Sequence, residues 1–440
     1  MGARETALRV LVQCSTANAW ADASLQAQLK RDGLSGAEAA LASRLVYGVM
    51  QSKLRLDYYI GCYCTQKPDH LQRPLLEILE LSAYQILYLD RIPDSAAVNE
   101  GVKLAKLMGR GPASGLINAV LRKIVANKNN LPPLPERDAV TNLSLTYSHP
   151  KWLVKRLIGL FGQEEATQIL EVHNQVAPLT VQVNPLVTTQ ESLVSALEIA
   201  GVSVKTHPWV NGCLELTGVG DLTQLEAFQK GHFLVQDPAA RLVAQIASPK
   251  AGQTVLDVCS APGGKSFACA FEMENQGEII SCDVHNSKLV RIDQGAKRLG
   301  ITTIATTCAD GRVYHEDWDS QFDVVIVDAP CSGLGIIRKK PDIRYKKPDD
   351  LFTLSVVQSE ILANAAAYVK VGGTLIYSTC TILPEENQQV CDAFLAEFPT
   401  FVRDSFTLGD GTVTEEGQVT LLPHRHQCDG FFICRMVRNT

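Results

Sequence analysis

The sequence predicts a multidomain protein: an all-α front, a small α+β module, and a C-terminal α/β domain with a parallel, doubly wound sheet. Three observations carry that expectation. A chain of 440 residues is too long for one ordinary core. Apolar residues recur at three-to-four spacing through residues 1–128. From about residue 236, near-continuous apolar runs alternate with helical stretches, the signature of strands buried on both faces.

In the front block, ETALRVLVQCS, GAEAALASRLVYGVMQSKLRLDYYI and LLEILELSAYQILYLDRI read as amphipathic helices. Asp94 and Ser95 follow Pro93 and are placed to cap the next helix, AAVNEGVKLAKLM. GLINAVLRKIVANK completes a helical bundle over 1–128. Residues 129–150 contain the proline-rich, polar NNLPPLPERD and read as a linker. Residues 151–235 mix helical runs (WLVKRLIGLFG, EEATQILEVHNQ, ESLVSALEIAG) with the strand-like LTVQVNP and CLELTG, a small α+β module. Residues 236–440 supply the strands TVLDVC, GEIISCDV, TTIATTCAD, FDVVIVDAP and GTLIYSTC. Ligands of such sheets bind beyond the carboxyl ends of the strands.

Composition bounds the function. No apolar run reaches transmembrane length, and no signal-peptide pattern precedes ALRVLVQC. MGARET matches the loose myristoylation pattern and nothing else points to a membrane. Thirteen scattered cysteines without an export signal imply reduced thiols and a cytoplasmic protein. Cys62 and Cys64 stand too close for a zinc knuckle, and His424, His426 and Cys428 match no common zinc spacing, so no metal is expected. Residues 1–150 hold 17 Lys/Arg against 13 Asp/Glu, whereas the whole chain carries a net charge of −6. A basic front on an acidic protein suits a polyanionic partner, and equally a solvated surface.

LDVCSAPGGKS reads as a strand, a small-residue turn and the start of a helix. Cys259, Ser260, Ala261, Pro262, Gly263, Gly264 and Lys265 would form the cradle, with the glycines allowing close backbone approach. Asp283, at the end of the second strand, is placed for ribose hydroxyls, and Asp310, at the end of the third, for the base. An adenosyl ligand without a pyrophosphate fits this pattern. A P-loop, and with it a nucleotide hydrolase, is the rival. However, G-x-x-x-x-G-K-S/T requires glycine where Cys259 stands, and Pro262 has no N–H for a phosphate.

Two further strands end in thiols: FDVVIVDAPCSG at Cys331 and GTLIYSTCT at Cys380, with Asp328 three residues before the first. Buried cysteines mostly just pack. A pair at adjacent strand ends, beside a carboxylate and a cofactor turn, points instead to thiol addition at C6 of a pyrimidine. That addition makes C5 nucleophilic enough to take a methyl group. Which thiol attacks stays open from these residues. Residues 338–347, RKKPDIRYKK, follow directly. Arg338, Lys339, Lys340, Arg344, Lys346 and Lys347 read as contacts to a nucleic-acid backbone.

CSAPGGK, DAPCSG and STCT resemble the motifs of the Nol1/Nop2/Sun family of RNA cytosine-5 methyltransferases. SRLVYGVMQSKLRLDYYI and LLEILELSAYQILYLDRIP resemble a NusB-type RNA-binding domain. The resemblance spans essentially the whole chain. It implies a NusB-like bundle, an RRM/ferredoxin-like module and a Rossmann-like methyltransferase domain. It implies S-adenosylmethionine held by Cys259 to Lys265, Asp283, Asp310 and Asp328, and 16S rRNA as substrate of a monomer. It further implies Cys380 as nucleophile, Cys331 as the base assisting release, and Asp328 on the cytosine N3 and amino edge. A non-catalytic RNA-binding factor built on the same fold is the alternative from another class; the intact Asp328, Cys331 and Cys380 speak against it.

Overall fold

The computed structural model describes residues 2–17 and 19–440. The chain divides into two compact units. The first runs to Gln175 and also includes Ile337–Lys346; the second comprises Val176–Ile336 and Lys347–Thr440.

The first unit is helical: α1 (Ala3–Ala17), α2 (Ala21–Asp32), α3 (Gly36–Tyr63), α4 (Arg73–Tyr88), α5 (Asp94–Leu107), α6 (Ser114–Asn127), α7 (Ala139–Tyr147) and α8 (Lys151–Val172). The apolar stripes of α1, α3, α4, α5 and α6 bury Leu8, Leu45, Leu56, Ile78, Leu104 and Leu121 in one core. Three details depart from the sequence reading. Helix α7 lies inside the expected linker, started by Asp138, whose side chain accepts from Thr141 N–H at 2.7 Å. Helix α8 lies in this compact unit, and Gly162 (φ 78°, ψ 168°) breaks it where WLVKRLIGLFG ends. Asp94 is the first helical residue of α5, with Pro93 at the cap position, and its carboxylate pairs with Lys128 at 3.0 Å. Helix α2 went unpredicted because it buries only Ala21, Leu25 and Gln28.

Charge is also buried in this bundle. Lys53 pairs with Glu80 and lies 3.8 Å from Glu77. Burial raises Asp57 well above the usual carboxylate range, reinforced by Glu80, and pushes Glu80 up to about 7 despite Lys53.

The basic segment, read from the sequence as contacts to a nucleic-acid backbone, is partly buried in protein. Pro341–Tyr345 forms a 3-10 turn packed into the helical unit. Arg344 is fully buried. Its guanidinium donates to the carbonyls of Gln51 (3.1 Å), Tyr147 (3.4 Å), Ser148 (3.2 Å) and His173 (3.3 Å), and to Asn174 Oδ1 (3.0 Å). Tyr345 O–H donates to the Met50 carbonyl at 2.7 Å. Burial pulls the Arg344 guanidinium down to about 10, which leaves it cationic at neutral pH. Its donors are therefore spent on protein acceptors, not presented to a phosphate. Arg338 is buried too, whereas Lys340 and Lys347 are exposed.

The second unit opens with β1 (Leu179–Val183), α9 (Gln190–Ile199), β2 (Ser203–Thr206), β3 (Cys213–Thr217), α10 (Glu226–Gln229) and β4 (Phe233–Val235). They form a four-stranded antiparallel sheet in the order β2-β3-β1-β4. Strands β2 and β4 are too short to show alternation and went unpredicted. Asn184 ties this module to the rest of the unit, donating to the carbonyls of Gly231 (2.8 Å) and Leu299 (2.9 Å).

There follow α11 (Pro238–Ala247), β5 (Thr254–Asp257), α12 (Gly264–Glu272), β6 (Glu278–Asp283), α13 (Asn286–Leu299), β7 (Ile304–Cys308), β8 (Phe322–Asp328), α14 (Asp349–Tyr368), β9 (Val369–Thr379) and α15 (Gln388–Glu397). The chain ends with β10 (Phe401–Arg403), β11 (Phe406–Thr407), β12 (Val413–Thr414), β13 (Gln418–Leu421), α16 (Pro423–His426) and β14 (Phe431–Arg438). The main sheet runs β10-β14-β9-β8-β5-β6-β7, with β13 also on β14. Strands β5 to β9 pair in parallel, as expected. Strand β14 enters antiparallel beside β9, so the sheet is mixed. The segment PHRHQ is the short helix α16 between β13 and β14, and no metal-binding cluster occurs among the described residues.

Arg344→Met should remove donors from five acceptors, of which the Ser148 and His173 carbonyls are buried. A loss of about 3 kcal/mol or more is expected in urea unfolding of the helical unit. An unchanged midpoint would mean that those acceptors find other partners.

Candidate active site

Each parallel strand delivers its chemistry at its carboxyl end. After β5 the chain turns through 258–263 into α12, with the Ala261–Pro262 peptide cis. Ser260 anchors the turn to β6: its N–H and Oγ both donate to the Cys282 carbonyl, at 2.7 and 2.8 Å. Gly263 sits at φ 104°, and a Cβ there would lie 2.6 Å from the Phe267 ring. Only glycine fits that position. Asp283 closes β6, accepts from His285 N–H at 2.8 Å and faces Lys288 at 3.3 Å. Asp310 lies two residues beyond β7, gripped by the Arg312 side chain at 2.7 Å and held below the usual carboxylate range by those hydrogen bonds.

Two residues the sequence reading passed over underpin the turn. Asp257, fully buried at the end of β5, accepts from Ser266 Oγ at 2.6 Å, and Ser281 Oγ donates to Ser266 Oγ at 2.8 Å. Burial raises Asp257 to about 7, against the opposing Ser266 hydrogen bond and the Lys265 charge. The signal was its place as last residue of a strand directly before the glycine turn.

Lys265 does not reach into an open phosphate cradle. Its ammonium pairs with Asp328 at 2.5 Å and lies over the Phe431 ring. Burial disfavours that charge, and the Asp328 carboxylate more than offsets it. Asp328 uses its other oxygen to accept from Ser378 Oγ at 3.0 Å. With its lysine engaged and Pro262 lacking an N–H, the turn suits a ligand other than a triphosphate.

The parallel register of β8 and β9 puts Asp328 opposite Ser378. Cys331, three residues on, and Cys380, two residues on, thereby meet with their sulfurs 3.2 Å apart. Both are half-buried free thiols. The hydrogen bond to Cys380 pushes the Cys331 thiol well above its ordinary range, as do burial and nearby carboxylates. Either sulfur can donate in this contact. At Gly335 a Cβ would lie 1.8 Å from the Gly430 carbonyl oxygen, so glycine lets the Cys331 loop close against 429–430.

Asp257 keeps a proton in the folded chain up to about pH 7. In the unfolded chain it ionises near pH 4. The folded state thus binds the extra proton between those values, and stability falls as pH rises through them. Asp257→Asn should cancel that fall: relative to the parent, it should gain about 2–3 kcal/mol on going from pH 5 to pH 8 in urea unfolding. A pH-independent difference would contradict the assignment.

Known proteins show the same organisation. Residues 244–437 match the family described as 16S rRNA methyltransferase RsmB/F. Residues 1–126 match the NusB family, and 149–223 the RsmF/B-like ferredoxin-like domain. A Bacillus subtilis (strain 168) protein named "Probable ribosomal RNA small subunit methyltransferase B" is 37% identical, with 98% of each chain covered. A Klebsiella pneumoniae protein named "Ribosomal RNA small subunit methyltransferase B" is 35% identical over 92% of this chain and 91% of its own. Among solved structures, PH0851 aligns with a TM-score of 0.82 and 26% identity over 99% of both chains. A methyltransferase homologue from Pyrococcus horikoshii aligns with a TM-score of 0.59 and 26% identity, over 68% of this chain and 99% of that one. With all three domains matched and the whole length shared, this chain belongs to the ribosomal RNA small subunit methyltransferase B family.

Proposed function

We propose that this protein methylates C5 of a cytosine in 16S ribosomal RNA, using S-adenosylmethionine and a covalent bond between Cys380 and C6. One observation carries the reading: two free thiols 3.2 Å apart, beside Asp328, at the ends of adjacent parallel strands. A structural pair of cysteines has no need of the carboxylate, the small-residue turn or an ion-paired lysine at the same strand ends.

The residues present suit the cofactor. The small-residue turn from Cys259 to Gly264 would cradle it, Asp283 would offer a carboxylate to a ribose diol, and Asp310 would face the adenine. When bound, S-adenosylmethionine would supply an electrophilic methyl group to C5, its S–CH3 bond breaking to leave S-adenosylhomocysteine. Cys380, as thiolate, adds to C6, and the electron pair of the C5–C6 double bond moves to C5. Asp328 holds the amino edge of the ring, while Lys265 keeps that carboxylate aimed. C5 then carries both the new methyl and its original proton. Cys331, after losing its own proton to solvent, takes the C5 proton; the ring double bond re-forms and Cys380 leaves as thiolate. The exposed Lys340 and Lys347 are the basic-segment side chains that would meet the RNA backbone. The reading places a monomer in the cytoplasm, where the thiols stay reduced.

Cys380→Ala should abolish methyl transfer while S-adenosylmethionine affinity stays within about twofold. Cys331→Ala should trap the RNA on the protein as a slow band on a denaturing gel. An adduct in Cys380→Ala instead would reverse the two roles. Lys340→Ala with Lys347→Ala should make the salt dependence of RNA binding shallower, by about 1.5 in the log–log slope. An unchanged slope would remove this segment from the interface.

A further inference from the structure

The thiol pair is held by the dipeptide Glu386-Asn387, which the reaction above does not use. The Cys331 loop has few backbone ties: Ala329 N–H to the Ser378 carbonyl, Gly335 N–H to the Cys380 carbonyl, and Gly430 N–H to the Gly335 carbonyl, each at 2.9 Å. Between them, both neighbours of Cys331 are fixed through Glu386. Ser332 N–H donates to Glu386 Oε2 at 2.8 Å. Gln358 Nε2 donates to that same oxygen at 3.0 Å and to the Pro330 carbonyl at 2.9 Å.

Asn387 does the same for Cys380. Its Oδ1 accepts from Thr379 Oγ1 at 2.5 Å, and its Nδ2 donates to the Thr381 carbonyl at 3.0 Å. Ser332 Oγ and Thr381 Oγ1, 2.8 Å apart, link the two loops directly. Tyr377 O–H donates to the Glu386 carbonyl at 2.6 Å, fixing the dipeptide to β9. Ser332, Gln358, Tyr377, Thr379, Thr381, Glu386 and Asn387 are all at most 1% exposed.

Glu386 makes no ion pair among the described residues, and its Oε1 has no hydrogen-bond partner. A buried carboxylate without a cation is expensive, and packing alone does not require it. It contributes one strong acceptor shared by two donors, at the residue positions that flank Cys331.

We propose that Glu386 is a positioning residue that holds Cys331 against Cys380, and that its main effect is on proton removal and release rather than on RNA or cofactor binding. This rests on the two-thiol reaction proposed above. The Glu386 charge also disfavours a thiolate at Cys331, after the larger effects of the Cys380 hydrogen bond and burial.

The test uses the full-length chain carrying Glu386→Ala or Glu386→Gln, beside the parent. Geometry is read first, without RNA or cofactor, with diamide. Its N=N bond takes two hydrogens from the thiols, giving a Cys331–Cys380 disulfide and the hydrazine, followed by peptide mass. Glu386→Ala should form that disulfide about tenfold more slowly or worse. Glu386→Gln keeps an acceptor oxygen for Ser332 N–H and should recover most of the rate. In turnover, Glu386→Ala should lose about tenfold or more in kcat, with KM for RNA within about twofold, and should accumulate the covalent RNA adduct. Parental disulfide and turnover rates in Glu386→Ala would overturn the proposal. Should that variant fail to bind S-adenosylmethionine, Gln358→Met, which cuts the tie to Pro330, carries the same readouts with the same two outcomes. If instead the two-thiol reaction is wrong, Cys331→Ala alone gives no adduct, while the diamide comparison still decides the role of Glu386.

Discussion

The pairing of β8 with β9 sets Asp328 opposite Ser378 and Val327 opposite Tyr377, and the site hangs on that register. A shift of one residue would turn every side chain on β9 to the other face of the sheet. Cys380 would then leave Cys331, and the hydroxyl of Ser378 would leave Asp328. The register is held by full burial of both strands: Val325, Ile326, Val327, Leu375, Ile376 and Tyr377 are inaccessible to solvent. β14 locks the far side of β9 with six antiparallel residue pairs. The sheet thus does more than present loops, since its pairing sets the separation of the two sulfurs.

Around the sulfurs the charges form one sequence. Asp257 steadies the start of α12 through Ser266, Lys265 from the same turn pairs with Asp328, and Asp328 reaches β9 through Ser378. The cofactor turn and the thiol loops are therefore joined by hydrogen bonds between buried and half-buried groups. Glu386 and Asn387 complete the frame from the other side.

How much of this was legible in the sequence varies with range. The long amphipathic helices, the five parallel strands and the strand-end residues Asp283, Asp328, Cys331 and Cys380 were readable, because periodicity and turn residues are local signals. The short strands β2 and β4 and the weakly amphipathic α2 were not, because each takes its stability from neighbours distant in sequence. Arg344 shows the limit best. Six basic residues in ten read as contacts to a nucleic-acid backbone, yet one of them is the buried anchor of the segment. Composition cannot distinguish a guanidinium that faces a phosphate from one that faces carbonyls. Glu386 was invisible for the same reason, since its partners Ser332 and Gln358 lie 54 and 28 residues away.

The central claim is that Cys380, not Cys331, bonds to the base. It is tested most directly with the unaltered protein, S-adenosylmethionine and a 16S rRNA fragment bearing 5-fluorocytosine at the target. Fluorine at C5 cannot be removed as a proton, so the adduct persists after methyl transfer. Digestion and mass measurement of the cross-linked peptide should place the nucleotide on the peptide containing Cys380. Attachment to the peptide containing Cys331, or turnover with no adduct, would contradict the account.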